Sequence, residues 1–178
     1  MICIIHLSLQ MNDFSGVNKI IKWLDMIGFL GPFILLGIGI WQLWYNRIYW
    51  FVYLVIFSMN SVINKVAKSI LKQPRPHDGE SIMNENYAGQ EIYGMPSGHA
   101  QSVFSSLTFL YLVKGSPAWL FGELFIAGLT VYQRWKYRRH TVEQLGVGSV
   151  LGVVVAYVGY YVTKQYLQEN TLVKNEEL

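Results

Sequence analysis

Charge is scarce in this sequence. Asp, Glu, Lys and Arg make up 14% of its 178 residues, against about 25% in soluble domains. Such a chain has too little charge to cover a water-facing surface, and 52% of it is hydrophobic. Cysteine is nearly missing: Cys3 stands alone, so no internal disulfide can form and no cysteine–histidine metal spacing exists. Internal repeats and low-complexity stretches are absent. The net charge of +3 is small, and no nucleic-acid partner, cofactor, metal or obligate protein partner is expected. The opening MICIIHLSL lacks a basic region and a small-residue cleavage site, so it does not read as a signal peptide, and Met11 is a second candidate start.

What the chain does have is long uncharged runs. Residues 13–25 read as an amphipathic helix, with Val17, Ile20, Ile21, Leu24 and Ile27 at helical spacing and Asn18, Lys19, Lys22 and Asp25 opposite. This segment either lies in the membrane interface or opens the first span. Spans of about 20 residues follow over 26–45, 48–71, 98–113, 118–135 and 141–162, ending in a polar tail expected to fray. The fold class is therefore all-α, an integral membrane bundle of about five transmembrane helices. Its units are an N-terminal segment (1–25), a membrane domain (26–163) and a tail (164–178).

Five crossings sort the loops onto two faces. The end of span two, the start of span three, the end of span four and the start of span five share one face. That face gathers Lys68 and Arg75, then Ser97, Gly98 and His99, then Arg134, Arg138, Arg139, His140, Glu143 and Gln144. Phosphate esters call for such a set. Arginine forks and a lysine hold and spread phosphate charge, and a helix opened by Ser97-Gly98 offers backbone N–H donors. One imidazole can attack phosphorus while another protonates the leaving oxygen. That two-step hydrolysis needs no metal.

Three motifs carry a resemblance. Lys68, six residues, Arg75-Pro76; then Pro96-Ser97-Gly98-His99; then Arg134, five residues, His140 are similar to the signature of the type-2 phosphatidate phosphatase superfamily, which includes vanadium haloperoxidases. The resemblance covers about residues 60–152. It implies His140 as nucleophile, His99 as general acid and then base, and Lys68, Arg75, Arg134, Ser97 and Gly98 as phosphate ligands. Two positions depart from the pattern: Gln133 stands in place of serine, and Gln144 in place of the aspartate that orients the nucleophile. Gln144, four residues after His140, shares its helix face and can accept the Nδ1 proton without supplying charge; Glu143 is a substitute candidate. Tyr93-Gly94-Met95-Pro96-Ser97, His99, Gln101, His140-Thr141 and Gln144 further resemble the dolichyl diphosphatase branch, which carries glutamine there.

That likeness implies a membrane enzyme cleaving a polyprenyl diphosphate to the monophosphate. A phosphatase of phosphatidate or other lipid monophosphates, and a weakly active lipid-phosphate-binding pseudoenzyme, are the alternatives. The expected partners are the lipid substrate and membrane lipids. Arg138 and Arg139 are candidates for a second phosphate or for headgroup anchoring. Glu123, inside span four, is expected to reach the interface or meet Lys114, and Lys65, Lys72 and His77 are read as interfacial or solvated. Lys and Arg counting places the polar face in the cytosol, whereas the resemblance implies a luminal or extracytoplasmic face, which is the expectation adopted.

Overall fold

A computed structural model of the chain describes the backbone of residues 2–80 and 89–176 and the side chains of 19–80, 89 and 91–170. Residues 81–88 of the α2–α3 connection, Glu85 among them, lie outside the described residues. Among the described residues, five α-helices make up the bundle: α1 (Ile2–Leu43), α2 (Arg47–Leu71), α3 (Gly98–Lys114), α4 (Pro117–Lys136) and α5 (Val142–Glu176). One turn of 3₁₀ helix, Gly89–Ile92, precedes α3. The described residues contain no strand, only an isolated bridge between Pro74 and Tyr93.

The stretch 13–25 is not a separate element. It is part of α1, which runs unbroken for 42 residues with Pro32 inside it. Asp25, from its polar side, is buried and accepts from Lys136 Nζ (2.6 Å) and Tyr137 Oη (2.8 Å). The polar segment beyond Thr163 is likewise helical, the continuation of α5 to Glu176.

Of the five spans expected from sequence, three are long and apolar enough to cross a membrane: Lys19–Leu43, Arg47–Leu71 and Val142–Asn170. Helix α3 has 17 residues, about 26 Å at 1.5 Å per residue, slightly less than the roughly 30 Å hydrocarbon layer. Helix α4 interrupts its apolar run with Glu123, Thr130, Gln133 and Arg134, all buried. Both pack among the longer helices.

The bundle is apolar outside and partly polar inside, as lipid requires. Phe51, Val62, Phe121, Phe125, Val150 and Val154 face outward, whereas Asn60, Asn64, Gln101, Ser105 and Ser106 are buried. Helix α3 lies against α5 through two small residues spaced four apart. A Cβ on Gly148 would come within 2.5 Å of the Ser97 carbonyl oxygen, and one on Gly152 within 2.2 Å of the Gln101 carbonyl. The inner face of α2 is graded, reading Tyr53, Ile56, Asn60, Asn64, Lys68. Tyr53 and Ile56 join Leu43, Phe109, Leu110 and Ala156 in an apolar cluster, and the stripe turns polar and then cationic toward the other end. Gln101 bridges it, donating to Asn60 Oδ1 (2.7 Å) and accepting from Asn64 Nδ2 (2.6 Å).

Candidate active site

Helix ends and turns decide where the site residues fall. Helix α2 closes on Lys72, whose left-handed backbone (φ 47°) returns its N–H to the Lys68 carbonyl. Gly94 N–H then bonds the Gln73 carbonyl (2.8 Å), laying the segment before α3 across the end of α2. Helix α4 ends with Arg138 in the left-handed region (φ 48°). Arg139 N–H reaches the Arg134 carbonyl and Arg138 N–H the Trp135 carbonyl, at 3.0 and 2.9 Å, the paired bonds of a Schellman cap. His140 follows, and α5 then opens with a capping box. Gln144 N–H donates to Thr141 Oγ1 and Gln144 Oε1 accepts from Thr141 N–H, both at 3.3 Å. His140 is thus held between a helix that has just ended and one about to begin.

The ring of His140 is buried, and its two nitrogens have different partners. Nδ1 lies 2.9 Å from the Gly94 carbonyl oxygen and 3.3 Å from Gln144 Oε1. Both atoms only accept, so Nδ1 carries the proton. Nε2 lies 2.9 Å from Arg75 Nη1. A guanidinium only donates, so Nε2 presents its lone pair. That tautomer is the one a nucleophile needs. The imidazole is also held well below its ordinary value of 6.5, first by burial and then by the charges of Arg75, Arg134, Lys68 and His99.

Around Nε2 lies a cavity of about 470 Å³ lined by Lys68, Arg75, Glu91, Gly98, His99, Arg134 and His140, with Lys65 also on its wall. Lys68 and Arg134 are each 1% exposed. Gly98 and His99 open α3, where first-turn N–H groups have no intrahelical acceptor. His99 packs on Phe29, with ring centroids 5.7 Å apart, and the Arg134 guanidinium sits 5.8 Å above the same ring. Phe29, Pro32, Phe33 and Phe57 add apolar wall to the same cavity. Buried cations, helix N–H groups and an oriented imidazole can together bind a phosphate and accept its phosphoryl group.

The structure thus brings six of the expected residues onto one cavity: Lys68, Arg75, Gly98, His99, Arg134 and His140. Ser97 stands behind it, fully buried, its hydroxyl accepting from Ala100 N–H at 3.5 Å and its own N–H bonded to the Gln144 carbonyl. Gln144 meets His140 as expected, but the Gly94 carbonyl is the nearer partner. Glu143 is exposed and takes the Thr141 hydroxyl (3.2 Å) instead. Arg138 and Arg139 are not on the cavity. Arg138 pairs with Asp78, and Arg139 reaches the Gly79 carbonyl at 3.4 Å, fastening the loop after α2. His77 is exposed, as read.

Some residues of the site escaped the sequence. Gly94 was legible only as part of a motif; its reason is steric, since a Cβ there would meet Gln144 Oε1 at 2.4 Å. Gln73 Oε1 and the Pro74 carbonyl, at 3.1 and 2.9 Å, take the two protons of the Gln144 amide. Glu91 had no signal at all, yet its carboxylate lies 2.5 Å from Lys68 Nζ.

The family model of the PAP2 superfamily matches residues 48–167. The chain belongs to the PAP2 superfamily. Among its PAP2 relatives, the dolichyldiphosphatase of Saccharomyces cerevisiae is 30% identical over 58% of this chain and 47% of its own length. Human dolichyldiphosphatase 1 is 27% identical over 91% of this chain and 71% of its own. Lipid phosphate phosphatase epsilon 1 of Arabidopsis thaliana, a chloroplastic protein, is 29% identical over 86% and 51%. The chain spans about half the length of the yeast and Arabidopsis proteins. A Bacillus subtilis transmembrane PAP2-type phosphatidylglycerolphosphate phosphatase shares the fold, with TM-score 0.60 at 20% identity over 86% of this chain and 77% of that one. The PAP2 motifs are thus those of an all-helical membrane phosphatase family.

Proposed function

We propose that this chain hydrolyses a lipid diphosphate of the polyprenyl type to the monophosphate, through a phosphohistidine on His140. The observation that carries the reading is the His140 ring: Nδ1–H on the Gly94 carbonyl, Nε2 turned toward a cavity walled by Lys68, Arg75 and Arg134. Nε2 attacks the terminal phosphorus. The bond from phosphorus to the bridging oxygen breaks, and its electron pair leaves with the lipid monophosphate, which His99 protonates. Water then attacks the phosphohistidine, giving its proton to His99, and orthophosphate departs with Nε2 restored. Lys68, Arg75, Arg134 and the N–H groups opening α3 hold the equatorial oxygens, and Ser97 fixes that helix end. Gln144 and the Gly94 carbonyl keep the tautomer.

Dolichyldiphosphatases recur among the relatives, which supports the diphosphate. Lys65, one helical turn before Lys68 and on the cavity wall, is the cation available to the second phosphate. Phe29, Phe33 and Phe57 give the lipid chain an apolar approach within the membrane domain, residues 26–163. A lipid monophosphate is the second reading, favoured by the Arabidopsis relative. The chemistry needs no metal, and the polar face is assigned to the luminal or extracytoplasmic side.

The test is phosphate release from polyprenyl diphosphate and from phosphatidate by purified protein in EDTA, together with trapping of labelled phosphohistidine. Activity on the diphosphate is expected to exceed that on phosphatidate and to fall by about 10⁴-fold or more in His140→Ala. Release that survives the substitution would sink the mechanism, and a preference for phosphatidate would move the substrate to the second reading.

A further inference from the structure

One carboxylate sits where a phosphate belongs. Glu91 Oε2 is 2.5 Å from Lys68 Nζ and 3.7 Å from Arg75 Nη2, and Glu91 lines the same cavity as His99, Arg134 and His140. Nothing in the PAP2 motifs calls for it. We propose that Glu91 is a resident counter-anion of the phosphate seat, which an incoming phosphate must displace, and that it thereby favours lipid diphosphates over monophosphates. This inference rests on the reading of that cavity as a phosphate seat.

Burying a cation such as Lys68 without a counter-anion is costly. Glu91 supplies one in a form that can leave. Lys68 is 1% exposed, but the Glu91 side chain is 41% exposed, so water reaches the carboxylate from outside. Its main chain is anchored separately, since the Glu91 carbonyl accepts from Arg75 Nε at 3.1 Å. The side chain can therefore change rotamer without moving the turn that carries it. Displacement is a competition between anions for the same cations. A carboxylate brings one negative charge. A lipid diphosphate brings two or three over more oxygens and displaces it readily, whereas a monophosphate, with at most two, does so less well. After the reaction, the carboxylate returns to the seat and opposes rebinding of orthophosphate.

The full-length protein in detergent tests this. Orthophosphate is used as a competitive inhibitor of polyprenyl diphosphate hydrolysis, and kcat and KM are compared for polyprenyl diphosphate and monophosphate. In Glu91→Gln, the Ki of orthophosphate is expected to fall about fivefold to tenfold (about 1 to 1.4 kcal/mol). The preference for diphosphate narrows by a similar factor, mainly through KM for the monophosphate. Glu91→Asp keeps the charge and stays near the wild-type Ki, and Glu91→Ala gives the same readout as the amide if that variant does not fold. A Ki unchanged or raised in the neutral variants overturns the inference while leaving the phosphatase reading intact. Wild-type protein that neither cleaves lipid phosphates nor binds orthophosphate removes the seat itself, and Glu91's role with it.

Discussion

The two ends of the bundle both bury charge, and they handle it in opposite ways. At one end Lys68, Arg75 and Arg134 gather with His140 on one cavity wall, and Glu91 pairs with Lys68. At the other, Glu123 is 1% exposed and accepts a hydrogen bond from Gln42 Nε2 at 2.8 Å. The second arrangement pairs one carboxylate with one neutral amide. The first gathers these three cations and two histidines on the wall of a cavity of about 470 Å³. A carboxylate held by a neutral amide is a packing element, whereas cations gathered on a cavity wall suit an anionic ligand.

Substitutions at the two ends should separate stability from activity. The largest effect is expected at Arg134. Arg134→Gln should lower kcat/KM by about 10²- to 10³-fold. The pH profile of the same variant gives an independent sign. In the proposed mechanism His140 acts neutral, and burial, Arg75 and Arg134 depress its proton affinity. The acid limb of wild-type kcat/KM should therefore lie below 6.5, and removing a neighbouring cation should move it upward; a limb unmoved in Arg134→Gln would deny that coupling.

An intermediate effect is expected at Gln144. A carboxylate there would face Gln73 Oε1 and the Pro74 carbonyl, which now accept from the amide. Gln144→Glu should thus cost about tenfold in kcat, even though it adds negative charge beside the nucleophile; a gain in rate would show that imidazolium stabilisation outweighs those two bonds. The smallest effect on activity belongs to the far end. Glu123→Leu should change kcat/KM by less than about twofold and destabilise by roughly 1–3 kcal/mol by stranding Gln42. Gln42→Leu combined with Glu123→Leu should recover most of that loss in a thermal melt.

Much of this was legible in the sequence because it depended on spacing alone. Helices α2 to α4 fall within a few residues of the expected spans, and Lys68, Arg75, His99, Arg134 and His140 converge as the loop topology demands. What was not legible depended on main-chain contacts across long separations. No pattern says that Gly94 offers its carbonyl to His140, or that Glu91 folds back on Lys68. Helix α1 passes residue 25 without a break because Asp25, polar in the sequence, finds Lys136 at the end of α4 and Tyr137 just beyond it. Glu123 finds Gln42 on α1 in place of the interface or Lys114. Arg138 and Arg139, attractive as phosphate ligands by charge, are taken by Asp78 and the Gly79 carbonyl. Lys65, set aside for missing the motif spacing, reaches the cavity because one turn separates it from Lys68.

The ties that hold Gln144 have a consequence for how the protein is made. Its side chain and main chain join the first turn of α5 to Gln73, Pro74 and Ser97, all of them translated earlier. Lys68 and Arg75 are translated well before the last helix, and Arg134 just before it. Until that helix inserts and docks through Gly148 and Gly152, Gln144 cannot brace the His140 ring beside the Gly94 carbonyl. The reactive group is thus completed late in biogenesis, and chains released before α5 should be silent toward the lipids around them.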